Sequence, residues 1–342
     1  MKCAKIIDTG KVEVREVPKP IPDDDQVLIK MKASALCRSD LARYHGGKMF
    51  EDEDPEQIIT PGHEPCGIVE EVGKNVKHVK PGDRVAIYLG LGCGECEYCL
   101  HGDINMCNKF GCIGFAVDGA HADYIAVPEY NCLPMPDEMD YITGALSTDV
   151  GGTLYTACKR LGVNGQKTVA IFGLGPMGSG GVLMAKAFGA TVIAIDIDDK
   201  RLELAKELGA DYTINSKTQD AEAEIRKLTG GDGVDIAIDC SGNEAAENTA
   251  LNSVKKQGSV GFIGENSKCT VDISLQILRK LIRVLGCWYF NRGDWKEISN
   301  FIMEKKIPLH KISSHTYKID DADEAFRLFD QQATQKVVFV WD

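Results

Sequence analysis

Apolar and polar positions change their period partway along the chain. Up to about residue 147 the apolar residues come in short runs, VLIKMKA (27–33), GIVEEV (67–72), RVAIYL (84–89) and DYIAVP (123–128), separated by turn signals such as Pro22-Asp23-Asp24 and Pro81-Gly82-Asp83. Such spacing predicts a mainly antiparallel β domain. The opening MKCAKIIDTGKVEV alternates like an early strand. From residue 167 the pattern becomes strand then helix. KTVAIFG (167–173) and ATVIAIDID (190–198) read as buried strands, with a helix-like stretch through Phe188 between them. KRLELAKELGA (200–210) is amphipathic at helical spacing and stops at a glycine. DYTINS, then the helical AEAEIRKLTG, then the strands VDIAIDCSG (234–242), SVGFIG (259–264) and LIRVLGCWYF (281–290) continue the alternation. This predicts an α/β architecture with a doubly wound parallel sheet. The tail ends in KVVFVW, a strand able to return to the first domain. The expected organisation is 1–150, 151–288 and a C-terminal return over 289–342.

Composition changes the picture only at the margins. With 39 basic and 51 acidic residues the net charge is −12, which argues against broad binding to a nucleic-acid backbone. The N-terminus has no apolar core of signal-peptide length. The most apolar stretch, Thr168 to Ile195, is interrupted by glycines and Lys186, so it reads as strand, turn and helix and not as a membrane span. A cytoplasmic protein without membrane or nucleic-acid partners is expected.

Thirteen cysteines are many for a chain of 342 residues. Cys93, Cys96, Cys99 and Cys107 share one short stretch. Four thiolates there can build a closed tetrahedral zinc site, which is structural because no position is left for a substrate. An iron–sulfur cluster or metal-free thiols are the alternatives. Phe172-Gly173-Leu174-Gly175-Pro176-Met177-Gly178 follows a strand, opens a helix and leads to a second strand ending in Asp196. That context makes it a dinucleotide turn. Gly173 permits the tight turn, Gly175 lets backbone approach the pyrophosphate, Gly178 lets the helix pack on the strand, and the helix N-terminus favours the anion. Asp196 can accept hydrogen bonds from the ribose and would repel a 2′-phosphate, an effect that Asp198 and Asp199 reinforce, so NAD is expected over NADP.

Gly62-His63-Glu64, with Cys37-Arg38-Ser39-Asp40 upstream, the cysteine lobe and the glycine turn occur in one order along the chain. In that combination the sequence resembles the zinc-dependent medium-chain alcohol dehydrogenases, in the style of the sorbitol, threonine and secondary-alcohol enzymes. The resemblance implies a GroES-like catalytic domain beside a Rossmann domain. It implies Cys37 and His63 as ligands of a catalytic zinc, with Asp149 as the third ligand; the ordinary reading of Asp149 is an acid at a helix N-terminus. Glu64 either enters the metal's coordination sphere or stands behind it. Ser39 matches the family's proton-relay hydroxyl, although it could be simply structural. Relatives often end that relay with a histidine where this chain has Ala42; His45 reads as a surface histidine. Pro176 and Met177 complete the pyrophosphate turn. Arg201 matches a ribose contact or is an exposed helix cation, and Thr153, Ile263 and Cys287 match positions around the nicotinamide.

The implied activity is reversible oxidation of a hydroxyl, expected to be secondary and on a polyol or sugar-derived alcohol, with two zinc ions and NAD as cofactors. A simple secondary alcohol or an amino alcohol is the alternative substrate. A non-catalytic zinc and nucleotide sensor and a zinc-free quinone reductase are the competing classes. The acidic EDEDPE (51–56) is expected either to border the substrate mouth or to be a solvated turn. Relatives suggest a homodimer or homotetramer.

Overall fold

The computed structural model describes residues 1–50 and 57–342; the EDEDPE segment lies outside them. The chain forms two compact units, Met1–Asp149 with Phe290–Asp342, and Val150–Tyr289.

The first unit is built around the ten-residue strand Gln26–Ala35, whose apolar residues are buried from Val27 to Ala35. Along one side it pairs antiparallel with Glu64–Val72. Its other side is shared. Tyr124–Pro128 takes the Gln26–Lys30 half, and the C-terminal strand Lys336–Val340 takes the Ala33–Ala35 half. The tail KVVFV is therefore an internal strand, flanked on its far side by a parallel Ser313–Tyr317. Arg84–Ile87 and Cys132–Pro134 extend the sheet beyond Glu64–Val72. The N-terminal alternation resolves into two strands, Lys2–Asp8 and Lys11–Glu16, joined at a turn where Gly10 has φ +70°. Their inner faces pack with Leu41, Tyr44, Phe326, Phe329 and Phe339 in one core.

The second unit is a six-stranded, all-parallel sheet in the order 212–215, 191–196, 168–172, 234–239, 254–262, 283–286. The order reverses at Thr168–Phe172, beside which ligands of such sheets bind. Phe172, Ile193, Ile195, Ile225, Leu251 and Val260 fill its core. This is the α/β combination of a mainly antiparallel domain and a doubly wound Rossmann sheet.

Two readings are corrected in detail. LIRVLGCWYF is strand only over Arg283–Gly286, flanked by Leu281 and Tyr289 with left-handed φ of +52° and +55°. The helices Glu244–Ser253, Trp295–Glu304 and Ala322–Asp330 were not anticipated. Among the described residues no helix is long and apolar enough to cross a membrane.

Candidate active site and dinucleotide turn

The candidate metal-site residues come together through strand register. Ala35 pairs with Glu64, so the chain leaving one strand (Leu36, Cys37) and the chain entering its neighbour (His63, Glu64) meet at the same end of the sheet. The Cys37–Asp40 turn is closed by the Asp40 carboxylate, whose Oδ2 accepts the Cys37 N–H at 2.8 Å. Asp149 arrives from a different direction. It sits in a wide π-type turn, Ser147–Gly151, between two α-helical segments, the kind of irregularity that often marks functional sites. One donor atom from each of Cys37, His63, Glu64 and Asp149 lies within 4.8 Å of all the others. Cys37 Sγ and Asp149 Oδ2 are 3.6 Å apart.

Two charged partners missed in the sequence shape this cluster. Asp40 is fully buried and its Oδ1 lies 3.2 Å from His63 Nδ1. That leaves His63 Nε2, 3.3 Å from Ser39 Oγ, as the nitrogen turned toward the other donors. A carboxylate fixing the tautomer of a metal-binding imidazole is a common supporting arrangement. Lys336 is 1% exposed. Its Nζ pairs with Glu64 Oε1 and donates to the Leu36 carbonyl at 3.1 Å. Asp40 was in plain view beside Cys37. Lys336 had no signal, because a lysine opening a strand ordinarily marks its solvated end.

The electrostatics follow from burial set against these partners. Burial alone would raise the Cys37 thiol, but the Lys336 charge and the His63 hydrogen bond outweigh it and hold the thiol below its ordinary value. Burial would lower His63, yet the Asp40 carboxylate carries it well above. Burial raises Glu64 strongly, against the pull of Lys336.

The donor set suits zinc. Sulfur, imidazole and carboxylate are its ordinary ligands, and Glu64 Oε2 is buried with no hydrogen-bond partner among the described residues, a state a metal ion or its bound water would relieve. The cysteine lobe fits a second ion. The four Sγ atoms lie within 4.8 Å of one another, and backbone N–H groups of Cys93 and Lys109 donate to Cys107 Sγ, each at 3.3 Å. Backbone donors near Cys99 lead the causes that bring the Cys96 thiol down to about 6, which favours the thiolate a metal requires. Among the described residues no disulfide joins the cysteines.

In the second unit the glycine turn has the steric demands its motif implies. Gly173 has φ +80°. A Cβ on Gly178 would stand 1.8 Å from the Gly173 carbonyl oxygen, whereas one on Gly175 would meet nothing within 4 Å. The turn is closed at Gly178 and open at Gly175. Pro176 opens the helix Pro176–Ala187, which contains Met177. Asp196 is 5% exposed and accepts N–H bonds from Leu174 at 2.5 Å and from Ile197 at 2.7 Å, tying its strand end to the glycine turn. Arg201 Nη1 lies 3.8 Å from Asp196 Oδ2, on the carboxylate and not out in solvent. Asp198 caps the next helix through the Lys200 N–H. Ile263 and Cys287 line a cavity of about 540 Å³ with Phe262, Glu265 and Trp288. Thr153 is buried on the helix Gly152–Leu161. His45 is exposed and pairs with Asp330 at 2.8 Å.

Comparison with known proteins agrees with both halves. Residues 23–137 match the family model of the alcohol dehydrogenase GroES-like domain, and residues 176–304 match that of the zinc-binding dehydrogenases. A sorbitol dehydrogenase of Bacillus subtilis is 36% identical over 81% of this chain and 79% of its own. An L-threonine 3-dehydrogenase of Pyrococcus horikoshii is 34% identical over 96% of this chain and 94% of its own. The crystal structure of galactitol-1-phosphate dehydrogenase from Escherichia coli superposes with a TM-score of 0.90 at 29% identity, covering 100% of both chains. The chain therefore belongs to the zinc-type medium-chain alcohol dehydrogenases, oxidoreductases whose cofactors are zinc and a nicotinamide dinucleotide.

Proposed function

We propose that this protein is a zinc- and NAD-dependent dehydrogenase that oxidises a secondary hydroxyl of a polyol or sugar-derived alcohol to the ketone, with release of one proton and reduction of one NAD. The observation that carries the reading is the convergence of Cys37, His63 and Asp149 beside a Glu64 already engaged by Lys336. Cys37, His63 and Asp149 would hold the zinc ion while Glu64 is engaged by the lysine. When bound, zinc supplies a Lewis acid that acidifies the substrate hydroxyl, and the nicotinamide supplies a two-electron acceptor.

The chain's own residues do the rest. Asp40 orients His63, and Lys336 offsets the negative charge of Cys37, Glu64 and Asp149. Ser39 Oγ, beside His63 Nε2, receives the hydroxyl proton of the substrate. With Ala42 in place of a histidine and His45 turned to Asp330, the proton leaves Ser39 by another route. Cys93, Cys96, Cys99 and Cys107 hold the structural ion. Gly173, Gly175, Pro176, Met177 and Gly178 cradle the pyrophosphate, and Thr153, Ile263 and Cys287 border the nicotinamide. Asp196 and Arg201 face the adenosine ribose. Asp196, Asp198 and Asp199 together disfavour a 2′-phosphate, which supports NAD over NADP.

The sorbitol and galactitol-1-phosphate relatives support a polyol. The threonine dehydrogenase supports an amino alcohol as the second reading. A panel of polyols, sugar phosphates, simple secondary alcohols and L-threonine, each with NAD or NADP, tests both. Turnover confined to L-threonine would select the second reading, and a preference for NADP would overturn the ribose argument. The parallel edge strand Arg283–Gly286 is exposed, with Val284 open on it and Leu278 and Leu281 open beside it. Pairing of this edge with a second copy gives a homodimer, which sedimentation analysis checks.

A further inference from the structure

A second histidine stands behind the zinc site. His121 is 0% exposed and belongs to a loop sewn to the segment that delivers His63. Gly119 N–H donates to the Thr60 carbonyl at 2.6 Å, Ala120 N–H to that of Gly62 at 2.9 Å, and His121 N–H to that of Pro61 at 3.0 Å. The ring lies directly on Gly62: a Cβ there would come within 2.5 Å of His121 Nδ1. Gly62, at φ +104°, is thus the residue that makes room for this imidazole. Phe339 and Phe326 enclose the ring edge-on, with centroids at 4.8 and 6.0 Å.

The polar atoms of the ring are oriented as well. Ser34 Oγ is 2.9 Å from Nδ1. With the Ser34 hydroxyl donating to Nδ1, the ring proton resides on Nε2. Nε2 has no hydrogen-bond partner among the described residues, and faces Asp40 Oδ2 at 4.0 Å. Burial depresses His121 to about 4, so the ring is neutral at physiological pH and presents a dipole without a charge.

We propose that His121 is a positioning residue of the catalytic zinc site: clamped by Ser34 and wedged on Gly62, it aims its Nε2–H at Asp40 and so fixes the carboxylate that orients His63. This inference rests on the reading of Cys37, His63 and Asp149 as zinc ligands. Asp40 then meets three groups, the Cys37 N–H in a hydrogen bond at 2.8 Å, His63 at 3.2 Å and His121 at 4.0 Å. Loss of the third lets the carboxylate rotate away from His63 and loosens the metal.

The test is the rate at which the zinc-loaded protein yields its ions to the chromogenic chelator 4-(2-pyridylazo)resorcinol, with release from the cysteine lobe as internal control. His121→Phe keeps a flat ring but removes the donor. It is expected to speed release from the catalytic site by about 10-fold, the low end for groups supporting a zinc-bound histidine, and to leave the cysteine-lobe phase unchanged. His121→Gln restores an N–H and is expected to return the rate to within about 3-fold of the parent, the worth of a modest hydrogen bond. Unchanged release in His121→Phe, or equal acceleration in the Phe and Gln variants, would overturn the proposal. If the Phe variant does not fold, Ser34→Ala carries the test. It should speed the same phase by about 3-fold, and an unchanged rate there overturns the proposal equally. A parent protein that yields only the cysteine-lobe zinc would instead refute the ligand assignment, so the two failures are distinguishable.

Discussion

Replacing Lys336 with methionine tests the electrostatic reasoning behind the site. Lys336 and Glu64 are 1% and 0% exposed, so no solvent replaces the lost ammonium. At an effective dielectric near 20, opposite charges about 4 Å apart attract by ~4 kcal/mol. Removing one member of a buried pair typically costs ~3–5 kcal/mol, because the Glu64 carboxyl, already raised by burial, is left without its partner. The Leu36 carbonyl loses its donor in the same step. Methionine nearly matches the aliphatic stem, so little of the loss comes from a cavity. Lys336→Met is therefore expected to destabilise the protein by ~3–5 kcal/mol, read as the shift in urea unfolding followed by tryptophan fluorescence. Glu64→Gln on that background removes the stranded carboxyl and should recover at least about half of the loss. A Lys336→Met variant within about 1 kcal/mol of the parent, or a double variant no better than the single, would refute the argument. It would mean that the pair is hydrated in solution and does not restrain Glu64.

Three further outcomes follow from the geometry. Purified protein should contain about two zinc ions per chain, and a Cys96→Ser/Cys99→Ser variant should retain about one while losing thermal stability, since a closed four-cysteine site contributes to folding directly; elemental analysis with a thermal melt decides. Gly178→Ala, whose methyl would meet the Gly173 carbonyl, should lose both stability and dinucleotide binding. Gly175→Ala should keep its melting temperature and lose about 10-fold or more in NADH affinity, because it obstructs only the space reserved for the anion; fluorescence titration showing unaltered NADH binding by Gly175→Ala would contradict that. Asp235 is pushed up by burial, but its bond to Lys255 at 2.8 Å and the Thr168 N–H at 2.9 Å overcome this and hold it below the ordinary carboxylate value. A folded value below the unfolded one contributes stability that is present above the unfolded value and lost as pH falls through the folded one. The stability gap between the parent and Asp235→Asn should therefore narrow between about pH 5 and pH 2 in urea titrations.

What could be read from the chain depended on how local the governing physics was. The glycine turn was legible because its constraints act within six residues: a methyl at Gly178 is forbidden by the Gly173 carbonyl, whatever the rest of the fold does. The cysteine lobe was legible for the same reason, as four thiols in one loop need no distant help to surround an ion. Cys37, His63 and Asp149 were reached only through a family likeness, since no local spacing relates them.

The sequence alone thus determined the two architectures, through short apolar runs between turn signals in one region and strand–helix alternation in the other, and it determined both local motifs. Tertiary structure decided the environment of the chemistry. The pairing of Ala35 with Glu64 brings Cys37 and His63 to one sheet end. The internal placement of the last strand carries Lys336 onto Glu64 from 272 positions away. The loop around Ala120 puts His121 against Gly62. A lysine, an aspartate or a histidine is written the same way on a surface as in a core. Only strand register and burial, which couple distant parts of the chain through packing, turn those residues into the charges and dipoles around the candidate metal site.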